Sequence, residues 1–210
     1  KLLLNTYVAT CDQIIDSYLK KINANSVMTS KKHQRASDRC AEALKKIEKK
    51  ESRKYDIIVM VQGDEPMVHH KMITEALYPF FKSEKISIVN LLGEFDSKKE
   101  YLDKNCIKVV CNNNLNAKYF TRKLPLKFYN KKNKLLGKQV CIIPFRRKML
   151  FKYLNLKPTF FEIKESVDMW RWLENNEDVK MVKTKFTSYA VDTKKDLIKV
   201  SKIMRKKNFK

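Results

Sequence analysis

The sequence predicts an α/β fold, a mainly parallel mixed sheet with helices packed on both faces. Three observations predict it. Ile57-Ile58-Val59-Met60-Val61 is an unbroken, mostly β-branched apolar run, the pattern of a strand buried on both faces of a parallel sheet. Segments of strand and helix periodicity alternate through the first half of the chain, as β-α-β units do. The 210 residues are 43% hydrophobic, enough for one ordinary core, and no linker or repeat interrupts them, so a single domain over 1–210 is expected.

Taken in order, Leu2–Thr10 reads as a strand and Cys11–Ile22 as a helix with Ile14, Ile15 and Leu19 on its apolar side. Ser26–Thr29 is a short strand. The polar Ser30–Gln34 loop leads into a helix over Arg35–Lys50, where Ala36, Cys40, Ala43, Leu44 and Ile47 form one stripe. After Ile57–Val61 come a helix over His69–Lys82 and a strand over Ile86–Leu92. Ile107–Cys111 and Ala117–Arg122 are strands joined by an asparagine-rich turn. Phe128–Lys138 is basic and weakly patterned, an excursion from the main layer. Val140–Phe145 returns as a strand, followed by helices over Arg147–Leu156 and Phe161–Asn175. Val179–Thr184 is the last strand, and a helix over Lys194–Lys206 follows Asp192, which stands where an N-cap is expected. The chain opens at Lys1 inside an apparent strand, so a preceding strand and loop are expected upstream, and without them a gap in the sheet between Leu4–Thr10 and Ile57–Val61.

The net charge of +23 raises nucleic acid, anionic membranes and acidic substrates as partners. Only eight of the 46 basic residues are Arg, and the lysines are spread over the whole chain. Nucleic-acid readers favour the planar Arg fork, so that class is disfavoured. No apolar run is long enough to span a bilayer. The five cysteines are scattered, with no C-x-x-C spacing, which indicates neither a disulfide framework nor a zinc site and suits a reducing cytoplasm. With three glycines in all, the residues hold no Gly-rich phosphate loop.

Chemistry concentrates where the Ile57–Val61 run breaks into Gln62-Gly63-Asp64-Glu65-Pro66. Ligands in open α/β sheets sit beyond the carboxyl ends of strands, which makes Asp64 a candidate metal ligand. A polar strand-to-loop turn explains the same residues equally well. Arg35 and Arg39 in the first turn of a helix oppose its dipole, and Arg at an anion-attracting terminus fits phosphate contacts as well as a solvated face. Asp192 is explained by capping alone.

Val61-Gln62-Gly63-Asp64-Glu65-Pro66 resembles the signature of 3-deoxy-manno-octulosonate (Kdo) cytidylyltransferases, the CMP-Kdo synthetases. The likeness continues through Tyr7–Thr10, Met28-Thr29, His33–Arg39, Asn105–Val110, Tyr119–Arg122 and Ala190–Thr193, in order and over most of the chain. It implies a Rossmann-like, three-layer nucleotide-diphospho-sugar transferase fold and transfer of CMP from CTP to a sugar acid, with release of pyrophosphate, for lipopolysaccharide or surface glycan synthesis. It further implies Mg²⁺ held by Asp64 and Asp192, nucleotide contacts from Thr10, Arg35, Ser37, Arg39, Gln62 and Gly63, and a homodimer formed through the Phe128–Lys138 excursion. Arg122, whose fork suits a carboxylate, Gln139 and Asp168 are the implied sugar contacts.

Two departures stand out. The family's N-terminal phosphate loop is absent from these residues, which keeps a non-catalytic remnant of the fold as an alternative beside a basic nucleic-acid-binding protein. Where enteric-type enzymes place His and Tyr on the strand, this chain has Gln139 and Ile143, and their Glu-Gln pair becomes Asp168-Met169. These changes point to a modified Kdo, such as an amino-substituted one, or to another octulosonic or nonulosonic acid.

Overall fold

The computed structural model describes residues 3–130 and 132–206. Their contacts separate two compact units, one within Lys1–Ile58 and Arg146–Lys157, the other within Val59–Phe145 and Pro158–Lys210.

In the first unit, β1 (Val8–Thr10) pairs in parallel with β2 (Ser26–Met28), and the two are joined by α1 (Gln13–Lys21). The expected strand over Leu2–Thr10 contracts to these three residues, and its first residue, Leu2, lies outside the described ones. Asp12 caps α1 by accepting from the Ile14 and Ile15 N–H groups, which starts the helix two residues later than the apolar spacing suggests. The helix α2 (Ala36–Glu51) has Arg35 at its N-cap and buries Ala41, Ala43 and Leu44. It packs on α5 (Arg147–Asn155), where Arg147 grips Glu48 through Nε at 2.7 Å and Nη2 at 2.8 Å. This bidentate pair holds the Glu48 carboxyl below its ordinary range.

The second unit is built on a five-stranded sheet in the order β6-β5-β7-β4-β9. Its strands are β4 (Val89–Gly93), β5 (Lys108–Cys111), β6 (Ala117–Thr121), β7 (Leu136–Val140) and β9 (Lys180–Lys183). The sheet is mixed: β4 and β9 run parallel, whereas β4–β7, β5–β6 and β5–β7 are antiparallel. The antiparallel share exceeds the expectation because β5 and β6 are joined by a short return, which only antiparallel neighbours allow, and the chain then passes to the other side of β5 as β7, antiparallel to both β5 and β4. Asn112 makes the first return, its Oδ1 accepting from the Asn114 and Asn116 N–H groups.

Two further readings are corrected here. Phe128–Lys138 is not wholly an excursion, since its last three residues enter β7, a central strand. Gly137 permits this, because a Cβ there would stand 2.6 Å from the Gly93 carbonyl oxygen on β4. The expected strand Val140–Phe145 is broken by a bend at Cys141. Beyond it β8 (Ile142–Arg146) leaves the five-stranded sheet and pairs with β3 (Ile57–Val61).

The expected helix over Phe161–Asn175 is likewise two short ones, α6 (Phe160–Glu165) and α7 (Met169–Leu173), separated at Ser166 with φ of 54°. The cause is the buried pair Glu162–Arg171, with Nε–Oε2 at 2.6 Å. Nine residues are two and a half turns, so one continuous helix would set these charges on opposite faces. The unit is completed by α3 (His70–Lys82), α4 (Lys98–Leu102), which the apolar pattern does not announce, and α8 (Lys194–Lys206). Every residue of β4 is buried, and α3 covers the sheet with Met72, Ala76, Leu77 and Phe80. Among the described residues, no helix is long and apolar enough to cross a membrane.

Candidate active site

The Gln62–Pro66 stretch does two different things with its two acids. Glu65 is structural. One of its oxygens accepts from the Cys141 N–H at 3.0 Å and the other from the Ser188 hydroxyl. The Gln62 N–H donates to the Cys141 carbonyl at 3.1 Å. Both backbone groups of the β7–β8 bend are therefore satisfied by this one stretch, and the bend cannot relax without orphaning them. Burial pushes the Glu65 carboxyl up, and those two donors oppose the shift.

Asp64 has no such role. Its Oδ1 is buried with no hydrogen-bond partner among the described residues. Loss of water raises its carboxyl above the ordinary range. The Asp64 carbonyl accepts from the Val191 N–H at 2.8 Å, which ties the segment carrying Asp192 to it. The Asp192 carboxyl is raised too, first by desolvation and then by the charge of Asp64, the strongest of those acting on it. Arg122 acts on Asp192 in the opposite sense.

Capping does not explain Asp192. The N-cap of α8 is Thr193, whose Oγ1 accepts from the Asp196 N–H at 3.3 Å, while the Asp196 carboxylate accepts from the Thr193 N–H at 2.9 Å. This reciprocal Thr-x-x-Asp arrangement takes over the role expected of Asp192. Two acids that repel each other, with one oxygen orphaned and burial raising both, are a donor set that a cation would satisfy. Mg²⁺ takes few protein ligands, all hard oxygens, and completes its shell with water and phosphate. The residues fit it.

Arg122 follows β6 and is held by its surroundings. Its Nε donates to the Glu165 carbonyl at 2.7 Å, its Nη1 to the Lys104 carbonyl at 3.2 Å, and its N–H to the Glu165 carboxylate at 2.8 Å. Its Nη2 has no partner among the described residues. Behind it, the buried Lys108 donates to the carbonyls of Asp103, Cys106 and Arg122. Gln139 on β7 donates through its amide nitrogen to Asn90 on β4 at 2.7 Å. Ile143 is 1% exposed, within a run buried on both faces of β8. Asp168 is the N-cap of α7, and its charge, with those of Glu65, Asp64 and Asp192, pushes the Cys141 thiol up behind the effect of burial. Gly63 is exposed, its φ is not left-handed, and a Cβ there would meet nothing within 4 Å, so the fold does not require a glycine.

In the first unit, two of the four residues expected to serve the nucleotide, Thr10 and Arg39, are joined through Thr29. Thr29 donates its N–H at 2.8 Å and its hydroxyl at 3.1 Å to the Thr10 carbonyl, and Arg39 Nη1 donates to the Thr29 hydroxyl at 2.6 Å. Ser37, in the first turn of α2, is fully buried, and Arg35 precedes it. The adjoining loop is tied down by Glu42, which accepts from the Ser30 N–H at 3.0 Å and pairs with His33 and Lys46. Those partners, Lys46 foremost, lower the Glu42 carboxyl to about 2. Motif spacing gave no role to Lys108, Lys138 and Ser188, and Thr29 entered only as part of the resemblance. The signal for the lysines was available, since a lysine inside a strand pattern, as in Ile107-Lys108-Val109, must bury its ammonium or break the alternation.

Two acids beyond the end of β3, a strand in which only Met60 is buried, on an α/β frame with a mixed sheet, are the arrangement of a nucleotidyltransferase-type protein. The model of the cytidylyltransferase family matches residues 1–185. A 3-deoxy-manno-octulosonate cytidylyltransferase of Trichlorobacter lovleyi is 33% identical over 97% of this chain and 83% of its own. One from Geotalea daltonii is 33% identical over 95% and 81%. A solved structure described as CMP:2-keto-3-deoxy-manno-octonic acid synthetase complexed with CTP superposes with a TM-score of 0.84 at 26% identity, covering 98% of this chain and 82% of that one. The chain belongs to the 3-deoxy-manno-octulosonate cytidylyltransferase family.

Proposed function

We propose that this chain transfers CMP from CTP to the anomeric hydroxyl of Kdo or a modified Kdo, releasing pyrophosphate, with Mg²⁺ as cofactor. The observation that carries the reading is the Asp64–Asp192 pair, held together by the Val191–Asp64 backbone bond, with Oδ1 of Asp64 unpartnered. In the reaction the sugar hydroxyl attacks the α-phosphorus of CTP and gives up its proton to solvent, the bond to the bridging oxygen breaks, and pyrophosphate leaves with the charge. Mg²⁺, when bound, supplies charge neutralisation at the phosphate and lowers the pKa of the attacking hydroxyl. Asp64 and Asp192 would hold it. Arg122 is suited to the sugar carboxylate, because its fork is already oriented by two carbonyls and Nη2 is left over. Thr10, Arg35, Ser37, Arg39, Gln62 and Gly63 are proposed as nucleotide contacts, and Gln139 and Asp168 as sugar contacts.

The same reading places the activity in lipopolysaccharide or surface glycan synthesis in the cytoplasm, on a homodimer. The relatives named as Kdo cytidylyltransferases and the CTP complex of the solved relative support CTP and a Kdo-type sugar acid as the substrates. The test is pyrophosphate release and CMP-sugar formation from CTP with Kdo or its amino-substituted analogue. Turnover should need Mg²⁺ and fall at least about a hundredfold in Asp64→Asn and Asp192→Asn. Equal rates in the variants and the wild type, or release that ignores the sugar, would sink the proposal.

A further inference from the structure

Lys138 is a buried cation that the reaction does not use. It lies on the central strand β7, is 5% exposed, and is the cross-strand partner of the buried Lys108 on β5. Its ammonium donates to the Glu100 carboxylate at 2.6 Å and to the Ser188 carbonyl at 2.9 Å, and stands 5.1 Å from the centre of the Tyr189 ring. The last two contacts, Ser188 and Tyr189, lie in the segment that leads to Asp192, and Glu100 on α4 anchors the ammonium between them. Ser188 is gripped a second time through its hydroxyl by Glu65, next to Asp64 in the chain, and Tyr189 hydrogen-bonds Asp96. Three residues after Ser188, the Val191 N–H closes on the Asp64 carbonyl. The segment from Ser188 to Val191 has no regular secondary structure, so sheet and helix ladders do not fix its path.

We propose that Lys138 is a positioning residue for the Asp64–Asp192 pair, its buried ammonium fixing the 188–192 segment so that Asp192 faces Asp64. This deepens the functional reading and rests on those two acids acting together. The physical case is that a buried ammonium anchored on Glu100 has few other acceptors. Moving Ser188 away strips one of them in a medium where an unmet charge is costly. Irregular backbone otherwise opens readily, and tethers of this kind keep it in one geometry. Such outer contacts commonly change metal affinity by about ten- to a hundredfold when removed.

The experiment compares wild type, Lys138→Met, Lys138→Arg and Asp192→Asn in the full chain by two readouts. One is the dissociation constant for Mn²⁺ alone, by electron paramagnetic resonance. The other is hydrogen exchange of the Val191 amide, which involves no metal. Lys138→Met should weaken Mn²⁺ binding about tenfold and speed Val191 exchange about tenfold. Lys138→Arg, which keeps the buried cation, should restore both to within about threefold. Val191 protection in Lys138→Met equal to wild type would overturn the inference, whatever the metal does. Unchanged Mn²⁺ binding in Asp192→Asn with Val191 deprotected in Lys138→Met would instead overturn the shared-metal reading and leave the positioning role standing. If Lys138→Met does not fold, Glu100→Ala removes the ammonium's anchor and is read the same way, with undiminished Val191 protection counting against the role.

Discussion

A carboxyl raised by burial holds its proton more tightly in the native chain than in the unfolded one, and Asp64 and Asp192 both stand in that condition. The sign of its effect on stability follows. Below the ordinary carboxyl range both states are protonated and no penalty exists. Above the raised native value the penalty is complete, so ionised Asp64 destabilises the metal-free protein near neutral pH. Asp64→Asn should therefore melt above wild type in the presence of a chelator at neutral pH. The advantage should shrink as pH falls through the raised value toward the ordinary carboxyl range. A variant that melts below wild type at neutral pH would mean that the carboxylate is satisfied and that no cation is called for. Activity lost while stability is gained is the expected trade at a site built for a ligand. Glu65, one residue on, is raised by burial as well, but both of its oxygens already hold donors from the fold, which oppose the shift.

At the scale of elements, the β4–β7 contact shows how closely the central strands approach. A methyl group at Gly137 would stand 2.6 Å from the Gly93 carbonyl oxygen and 2.7 Å from Leu92. Neither backbone nor buried leucine can give way cheaply, so Gly137→Ala should cost about 1–3 kcal/mol in denaturant melts. Gly63→Ala, where the methyl group meets nothing, should melt as wild type does. Equal stability of the two variants would show that β7 is not packed as described. The position of β7 also marks where the sequence stopped being legible. Ile57–Val61 and the α2 stripe announce themselves because their apolar residues follow one period. Leu136–Val140 contributes Gly, Lys and Gln to the middle of a sheet, and its Lys138 is satisfied by Glu100 and Ser188, distant in sequence. The break between α6 and α7 is hidden for the same reason, because Glu162 and Arg171 make sense only as a pair. Asp64 and Asp192 were legible as candidates, but what separates them from a turn and a cap is tertiary: the orphaned Oδ1 and the Thr193–Asp196 box.

At the scale of the whole molecule the charge of +23 sets how stability answers to salt. The lysines outnumber the available acids, so the mean exposed cation has like charges around it and the folded chain repels itself. Favourable pairs act against this, but the strongest of them are sheltered. Glu162 is fully buried with Arg171, and Lys138 with Glu100 has side chains 6% and 15% exposed. Salt screens exposed charges over a Debye length of about 10 Å at 0.1 M and reaches buried pairs far less. Exposed pairs such as Lys46–Glu42 are worth about 0–1 kcal/mol each, too little to reverse the balance. Raising sodium chloride from about 0.02 to 0.3 M should therefore raise the melting temperature, by screening repulsion more than attraction. Any adhesion to RNA should weaken steeply over the same range, since it depends on counterion release, while sugar-dependent pyrophosphate release persists. A melting temperature that falls with salt would show that the surface lysines are engaged in net attraction. Turnover lost in step with RNA binding would return the basic nucleic-acid reading to the front.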